Sequence, residues 1–176
     1  KTPPLAPLDC SIEVDERMGA DGSVVRELNE SQLREALTSF DGKGIEAITI
    51  CLINSFTNDQ HEKRVRDIVA EVMPDIPTSI SSEVIPELQE YERTVTTVAN
   101  SYVRPEVSKY ISNLQTEFDK RMNGASLSIL RSDGGLATAT SAMDFPVYML
   151  MSGPAGGVSG AIWVGEQAGI NNIITF

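Results

Sequence analysis

The run Ile45–Ile53 constrains this chain more than any other segment. It is nearly all apolar, and far shorter than the ~20 residues that cross a bilayer. It lacks the regular alternation of a half-exposed strand, so it reads as a central strand covered on both faces. Helical patterns flank it. Asn29 caps the first, with Gln32 three residues on in the capping-box position. Leu33, Ala36, Leu37 and Phe40 form its apolar stripe, and Gly42 and Gly44 end it. The second starts at Asn58 or Asp59, carries Val65, Ile68, Val69 and Val72 inward, and stops at Pro74. Thr78–Ser82 follows as a short strand. Upstream, Ser11–Met18 and Ser23–Leu28 around the turn Gly19–Gly22 predict a β-hairpin. The order hairpin, α, β, α, β specifies an α/β layer.

From Glu87 to Met122 the pattern is helical. Tyr91, Val95, Val98, Tyr102 and Val103 share one face at spacings near 3.6. Pro105 is expected to break the run and open a second helix, with Val107, Tyr110, Ile111, Leu114 and Phe118 on its apolar side and Gly124 closing it. Ser126–Leu130 is a strand. Two glycine segments come next. Ser132, Asp133, Gly134 and Gly135 follow that strand, and Ser152, Gly153, Pro154, Ala155, Gly156 and Gly157 open a helix that runs to about Ala168. Val158, Ala161, Ile162 and Val164 are its expected inner face, and Gly169 its stop. Ile173–Phe176 is a β-type run; a chain end inside it suggests a piece of a longer polypeptide.

Acidic residues outnumber basic ones 25 to 14, a net charge of −11. Such a surface repels nucleic-acid phosphate and anionic lipid, which excludes nucleic acid and membrane as expected partners. Two cysteines, Cys10 and Cys51, make no disulfide framework and no zinc spacing. With no membrane-length apolar stretch and no signal peptide, a cytoplasmic location is expected.

The glycine segments carry what chemistry the sequence offers. A helix N-terminus presents unpaired N–H groups and the positive end of the helix dipole. Pro154 suits the first helical position, Ser152 or Gly153 the cap, and Gly156 and Gly157 permit close approach of a phosphate. The same glycines serve a helix packed tightly on a sheet, and spacing alone favours that use. Asp133 stands at the carboxyl end of a strand, where open α/β sheets place ligands. It suits a substrate hydrogen bond or a hydrated metal, and equally an Asx-turn with Gly134 or Gly135 at positive φ. Glu92 and Arg93 cannot face the same side of a helix and so make no local pair; Glu83, Glu87, Glu90 and Glu92 form an acidic patch, read as a solvated helix face. His61 reads as a surface residue in the first turn of its helix.

With these segments in view, the chain resembles the A-type subunit of the ATP-dependent hydantoinase and 5-oxoprolinase family, which includes acetone and acetophenone carboxylase subunits. The resembling segments run in order: Val14–Arg17 with Asp21-Gly22, Gly44–Ile48, Asn54–Phe56, His61–Arg64, Ser81–Val84, Glu90–Thr94, Arg131–Leu136 and Ser152–Val158. The resemblance implies an α/β fragment of the two-lobed, ribonuclease-H type fold of actin, sugar kinases and chaperone ATPases, a mixed sheet with flanking helices. Residues 1–104 would be the C-terminal part of the family's N-terminal region. Residues 105–176 would begin the hydantoinase A region, up to the strand before the second phosphate loop. Both phosphate loops would lie outside this chain, so alone it is expected to be inactive, to bind no nucleotide tightly and to hold no metal. The intact protein is expected to use ATP and Mg²⁺ to activate a cyclic amide (hydantoin, 5-oxoproline) or a ketone by phosphoryl transfer. Ser132–Gly135 and Ser152–Gly157 would face its nucleotide or substrate cleft, with Asp133 the candidate for a catalytic role. The alternative is a non-catalytic scaffold, whose helices between Tyr91 and Met122 dock a B-type subunit or domain. An apolar stripe left exposed on those helices would favour it.

Overall fold

The computed structural model describes residues 4–122 and 126–175. Gly124 and Phe176, expected to end a helix and a strand, lie outside them. The chain divides into two compact units, residues 1–105 and 106–176.

In the first unit, β1 (Arg17–Met18) and β2 (Val24–Arg26) pair antiparallel around a bulge, a much shorter hairpin than the alternation predicts. Helix α1 (Glu30–Leu37) begins as expected, with the Asn29 side chain accepting the Gln32 N–H at 3.1 Å. The apolar run yields β3 (Ile48–Ile50). It continues through α2 (Gln60–Val72) to β4 (Thr78–Ile80), which lies parallel to β3 with Ile48 opposite Thr78 and Ile50 opposite Ile80. Leu33, Leu37 and Phe40 meet Val65, Ile68 and Val69 over Ile50 and Ile80 in one core. The periodicity identified nearly every member of it. A short helix α3 (Ser81–Val84) follows β4 directly.

Helix α4 (Glu90–Arg121) departs from expectation. It is one helix of 32 residues with Pro105 inside it. An internal proline removes one N–H···O=C bond at a cost of ~3 kcal/mol. Packing on both sides of the proline offsets that loss. Before it, Thr49 Oγ1 donates to Ser101 Oγ at 2.7 Å, Asn100 Nδ2 donates to Ser79 Oγ at 3.1 Å, and Arg104 Nη1 donates to the Thr78 carbonyl at 2.7 Å. After it, Ile111 is buried in the second unit's core.

That second unit contains β5 (Ser128–Leu130) and β6 (Leu136–Thr138), an antiparallel pair. Helix α5 (Ala139–Asp144) follows, capped by Thr138, whose Oγ1 accepts the Ser141 N–H at 3.2 Å. A 3₁₀ turn, Pro146–Met149, leads to α6 (Ser152–Ala168). The core is small: Ile111, Ala139 and Ala142, with Val107, Leu127, Ile129, Met143 and Met149 against it. Gly169 ends α6 in the left-handed region, as expected. The expected inner face of α6 is not inward, since Val158, Ile162 and Val164 are exposed among the described residues. Residues 173–175 form no strand. The strands of the described residues thus occur as one parallel and two antiparallel pairs within a mixed α/β architecture.

Candidate functional site

The two glycine segments come together in the second unit. Ser132–Gly135 is the turn of the β5–β6 hairpin. The Gly134 N–H bonds to the Arg131 carbonyl at 3.1 Å, and Arg131 N–H to the Gly135 carbonyl at 2.8 Å. Gly134 has φ +82°, a conformation that L side chains resist. Asp133 Oδ1 accepts the Gly135 N–H at 2.9 Å, which is the Asx-turn alternative. Its Oδ2 pairs with Arg131 at 2.9 Å. The Arg131 guanidinium lies 4.9 Å from the centre of the Tyr148 ring.

This turn seats the start of α6. Ser132 Oγ accepts the Met151 N–H at 3.0 Å, and the Ser132 N–H donates to the Tyr148 carbonyl at 2.6 Å. Gly156 faces Leu130, and a Cβ there would stand 2.6 Å from Leu130 Cδ2. Gly156 therefore serves close packing, while Gly153 and Gly157 face open space. Helix α6 begins at Ser152 behind Met151, so Pro154 is its third residue and not its first. A helix leaves its first N–H groups without intrahelical partners. The Ala155 N–H already bonds to the Met151 carbonyl at 3.2 Å, and Pro154 has none to offer. The amides that α6 can direct at a ligand are thus those of Ser152 and Gly153. The sequence names every residue of both segments. It carries no signal for the linkage through Arg131, Tyr148 and Met151, because that depends on how the Pro146–Met149 turn folds back.

Two further polar groups lie where the sequence did not place them, both in the first unit. His61 is buried, with Nδ1 2.7 Å from Glu16 Oε2 and Nε2 3.9 Å from Glu27 Oε2. The first turn of α2 faces the hairpin, and a buried carboxylate gives the imidazole a partner. Arg93 is fully buried, while its neighbour Glu92 is exposed. Its Nη2 donates to the Leu52 carbonyl at 2.7 Å, and its guanidinium lies 5.6 Å from the centre of the Phe56 ring. Beneath it Glu62, also fully buried, accepts from Leu52 N at 2.8 Å, Ser81 Oγ at 2.6 Å and Ser82 N at 2.8 Å. Among the described residues, no group of three or more His, Cys, Asp or Glu side chains is placed to hold a metal ion. None of their helices is long and apolar enough to cross a membrane.

The hydantoinase/oxoprolinase profile matches residues 93–176, and the profile of the hydantoinase/oxoprolinase N-terminal region matches residues 2–73. The chain is 30% identical over 171 residues to the caprolactamase subunit alpha of Pseudomonas jessenii, covering 97% of this chain and 25% of that one. It is 31% identical over 147 residues to the 5-oxoprolinase of Dictyostelium discoideum, covering 82% of this chain and 11% of that one. Among solved structures, a nucleotide-free acetone carboxylase, described as ATP-dependent, superposes with a TM-score of 0.86 at 31% identity. That match covers 96% of this chain and 24% of the other. The chain therefore spans about a quarter or less of the length of these relatives.

Proposed function

Because the chain belongs to the hydantoinase/oxoprolinase family, we propose that it is part of an ATP-dependent enzyme that activates a cyclic amide or a ketone. In this reading residues 1–104 complete the family's N-terminal region and residues 105–176 open its hydantoinase A region. The intact protein works with a B-type subunit or domain. The chain by itself turns over no ATP.

One observation carries the site assignment: the Ser132–Gly135 turn holds the N-terminus of α6 through the Met151–Ser132 hydrogen bond. Together, Ser132–Gly135 and Ser152–Gly157 form one wall of a nucleotide or substrate cleft. The Ser152 and Gly153 amides, at the positive end of the α6 dipole and beside open space at Gly153, fit a phosphate oxygen. ATP, when bound, supplies the phosphoryl group that converts a poor leaving oxygen into a good one. Asp133 holds the turn with one oxygen and Arg131 with the other. Its carboxylate is 58% exposed and keeps lone pairs for a substrate amide N–H.

Two measurements test this. Titration calorimetry of the chain with Mg·ATP and Mg·ADP is expected to show no tight binding; a micromolar site would refute the division of labour proposed. In the intact protein, Asp133→Ala and Gly157→Val are expected to lower ATP turnover by about tenfold or more. Gly157 has open space for the added side chain, so the fold is expected to tolerate that change. Unchanged turnover in both would remove the site assignment.

A further inference from the structure

Arg131 is held from two sides in the second unit. Its Nη2 lies 2.9 Å from Asp133 Oδ2, and its guanidinium lies 4.9 Å from the centre of the Tyr148 ring. The Tyr148 ring in turn lies 6.0 Å from that of Phe145. Stability does not account for this placement. The ion pair is open to solvent, its two side chains 35% and 58% exposed, and such a pair adds little. The Arg131 Nε–H is buried without a partner among the described residues, which costs free energy. What the arrangement supplies is orientation. The aromatic face fixes the plane of the guanidinium, and Arg131 and the Gly135 N–H together fix the plane of the carboxylate.

Where Nη2 meets Oδ2, an N–H donor and carboxylate lone pairs lie side by side. A carboxylate accepts up to about four hydrogen bonds, and Asp133 commits one position on each oxygen. The guanidinium has N–H groups beyond the one turned to Asp133. A donor beside an acceptor is the complement of an amide whose N–H and C=O lie on the same side. A small ring forces that cis arrangement on its amide, whereas open-chain amides are trans. A ketone offers an acceptor alone and leaves the Asp133 carboxylate facing no donor. We propose that Arg131 is a specificity-determining residue: with Asp133 it reads the cis amide edge of a ring, so this site takes a cyclic amide and rejects a ketone. Asp133 accepts from the ring N–H, and Arg131 donates to the ring carbonyl. This rests on the reading above that Ser132–Gly135 faces the substrate.

The test is substrate-dependent ATP turnover by the intact protein with its B-type subunit, using hydantoin, 5-oxoproline, their N-methyl derivatives and acetone. A cyclic amide is expected to drive turnover, and acetone is not. Methylation at the ring nitrogen of 5-oxoproline, or at one of the two in hydantoin, is expected to lower kcat/KM about hundredfold. Arg131→Met is expected to shrink that discrimination about tenfold or more, because Asp133 is then free to turn away from the ring N–H. Arg131→Lys keeps the charge without the planar fork and is expected to restore little of it. A merely structural defect lowers kcat/KM for the parent and N-methyl compounds alike and leaves their ratio. A ratio unchanged in both variants would therefore overturn the role of Arg131 and leave the ATP-dependent reading standing. Acetone driving turnover better than either cyclic amide would do the same. No turnover with any of these compounds would overturn both.

Discussion

Replacing Glu62 tests the argument for the polar junction at the carboxyl ends of β3 and β4. Glu62 is fully buried and accepts three hydrogen bonds, from Leu52 N, Ser81 Oγ and Ser82 N. In Glu62→Ala the Ser81 hydroxyl keeps a neighbour, since Ser55 Oγ lies 3.2 Å away. The two backbone N–H groups lose their acceptors. At ~1–3 kcal/mol for each unsatisfied buried donor, plus the cavity left by the side chain, the loss is about 4 kcal/mol. Relief of the buried carboxylate's desolvation offsets some of it, leaving about 3 kcal/mol. Glu62→Gln keeps the shape, but its NH₂ must point at a donor, either at Ser82 N or at the Leu52 and Ser81 pair. Its expected cost is about 2 kcal/mol. Urea unfolding of both variants measures the order Ala > Gln > wild type. A glutamine variant within ~0.5 kcal/mol of wild type would refute the view that a carboxylate holds this junction together.

Other outcomes follow from single observations. Gly157→Ala, in open space inside α6, is expected to raise the melting temperature and stability by up to ~1 kcal/mol, while Gly156→Ala must also move the Leu130 side chain and is expected to gain less. Pro105→Ala restores an N–H to the interior of α4 and is expected to stabilise the chain by about 1 kcal/mol or more, read by urea unfolding. Hydrogen bonding from Arg64 holds the Glu30 carboxyl below the usual glutamate range, and hydrogen bonding from Arg34, aided by the charges of Arg34 and Arg64, does the same for Glu71. Lowered folded-state values mean that this contribution is complete above the ordinary glutamate range and is lost as pH falls through and below it. Arg64→Met is therefore expected to flatten the acid limb of the pH–stability curve, with little effect at high salt because these groups are exposed.

The pattern of apolar residues determined the order of elements and most of the first unit's core by itself. Leu33, Leu37, Phe40, Ile50, Val65, Ile68 and Val69 stand at helical or strand spacing, and burial of one face forces those spacings. Capping at Asn29 and the left-handed stop at Gly169 were also legible, because each satisfies local backbone groups. The glycine segments of the candidate site were named in full from the sequence. Their contact through Ser132 and Met151 was not, since it joins residues 19 apart through an intervening fold. Tertiary structure decided the rest. Pro105 stays inside α4, where packing on both sides offsets one missing hydrogen bond. His61 goes inward because Glu16 is there to meet it. The Tyr91–Val95–Tyr102 stripe was visible as a periodicity, but a period states only that residues share a face. Which face turns inward depends on what lies beneath it. Here that is a set of polar groups on β3 and β4 and just beyond β3 (Thr49, Ser79 and the Leu52 carbonyl), so Arg93, Asn100 and Ser101 are buried and the tyrosines face out.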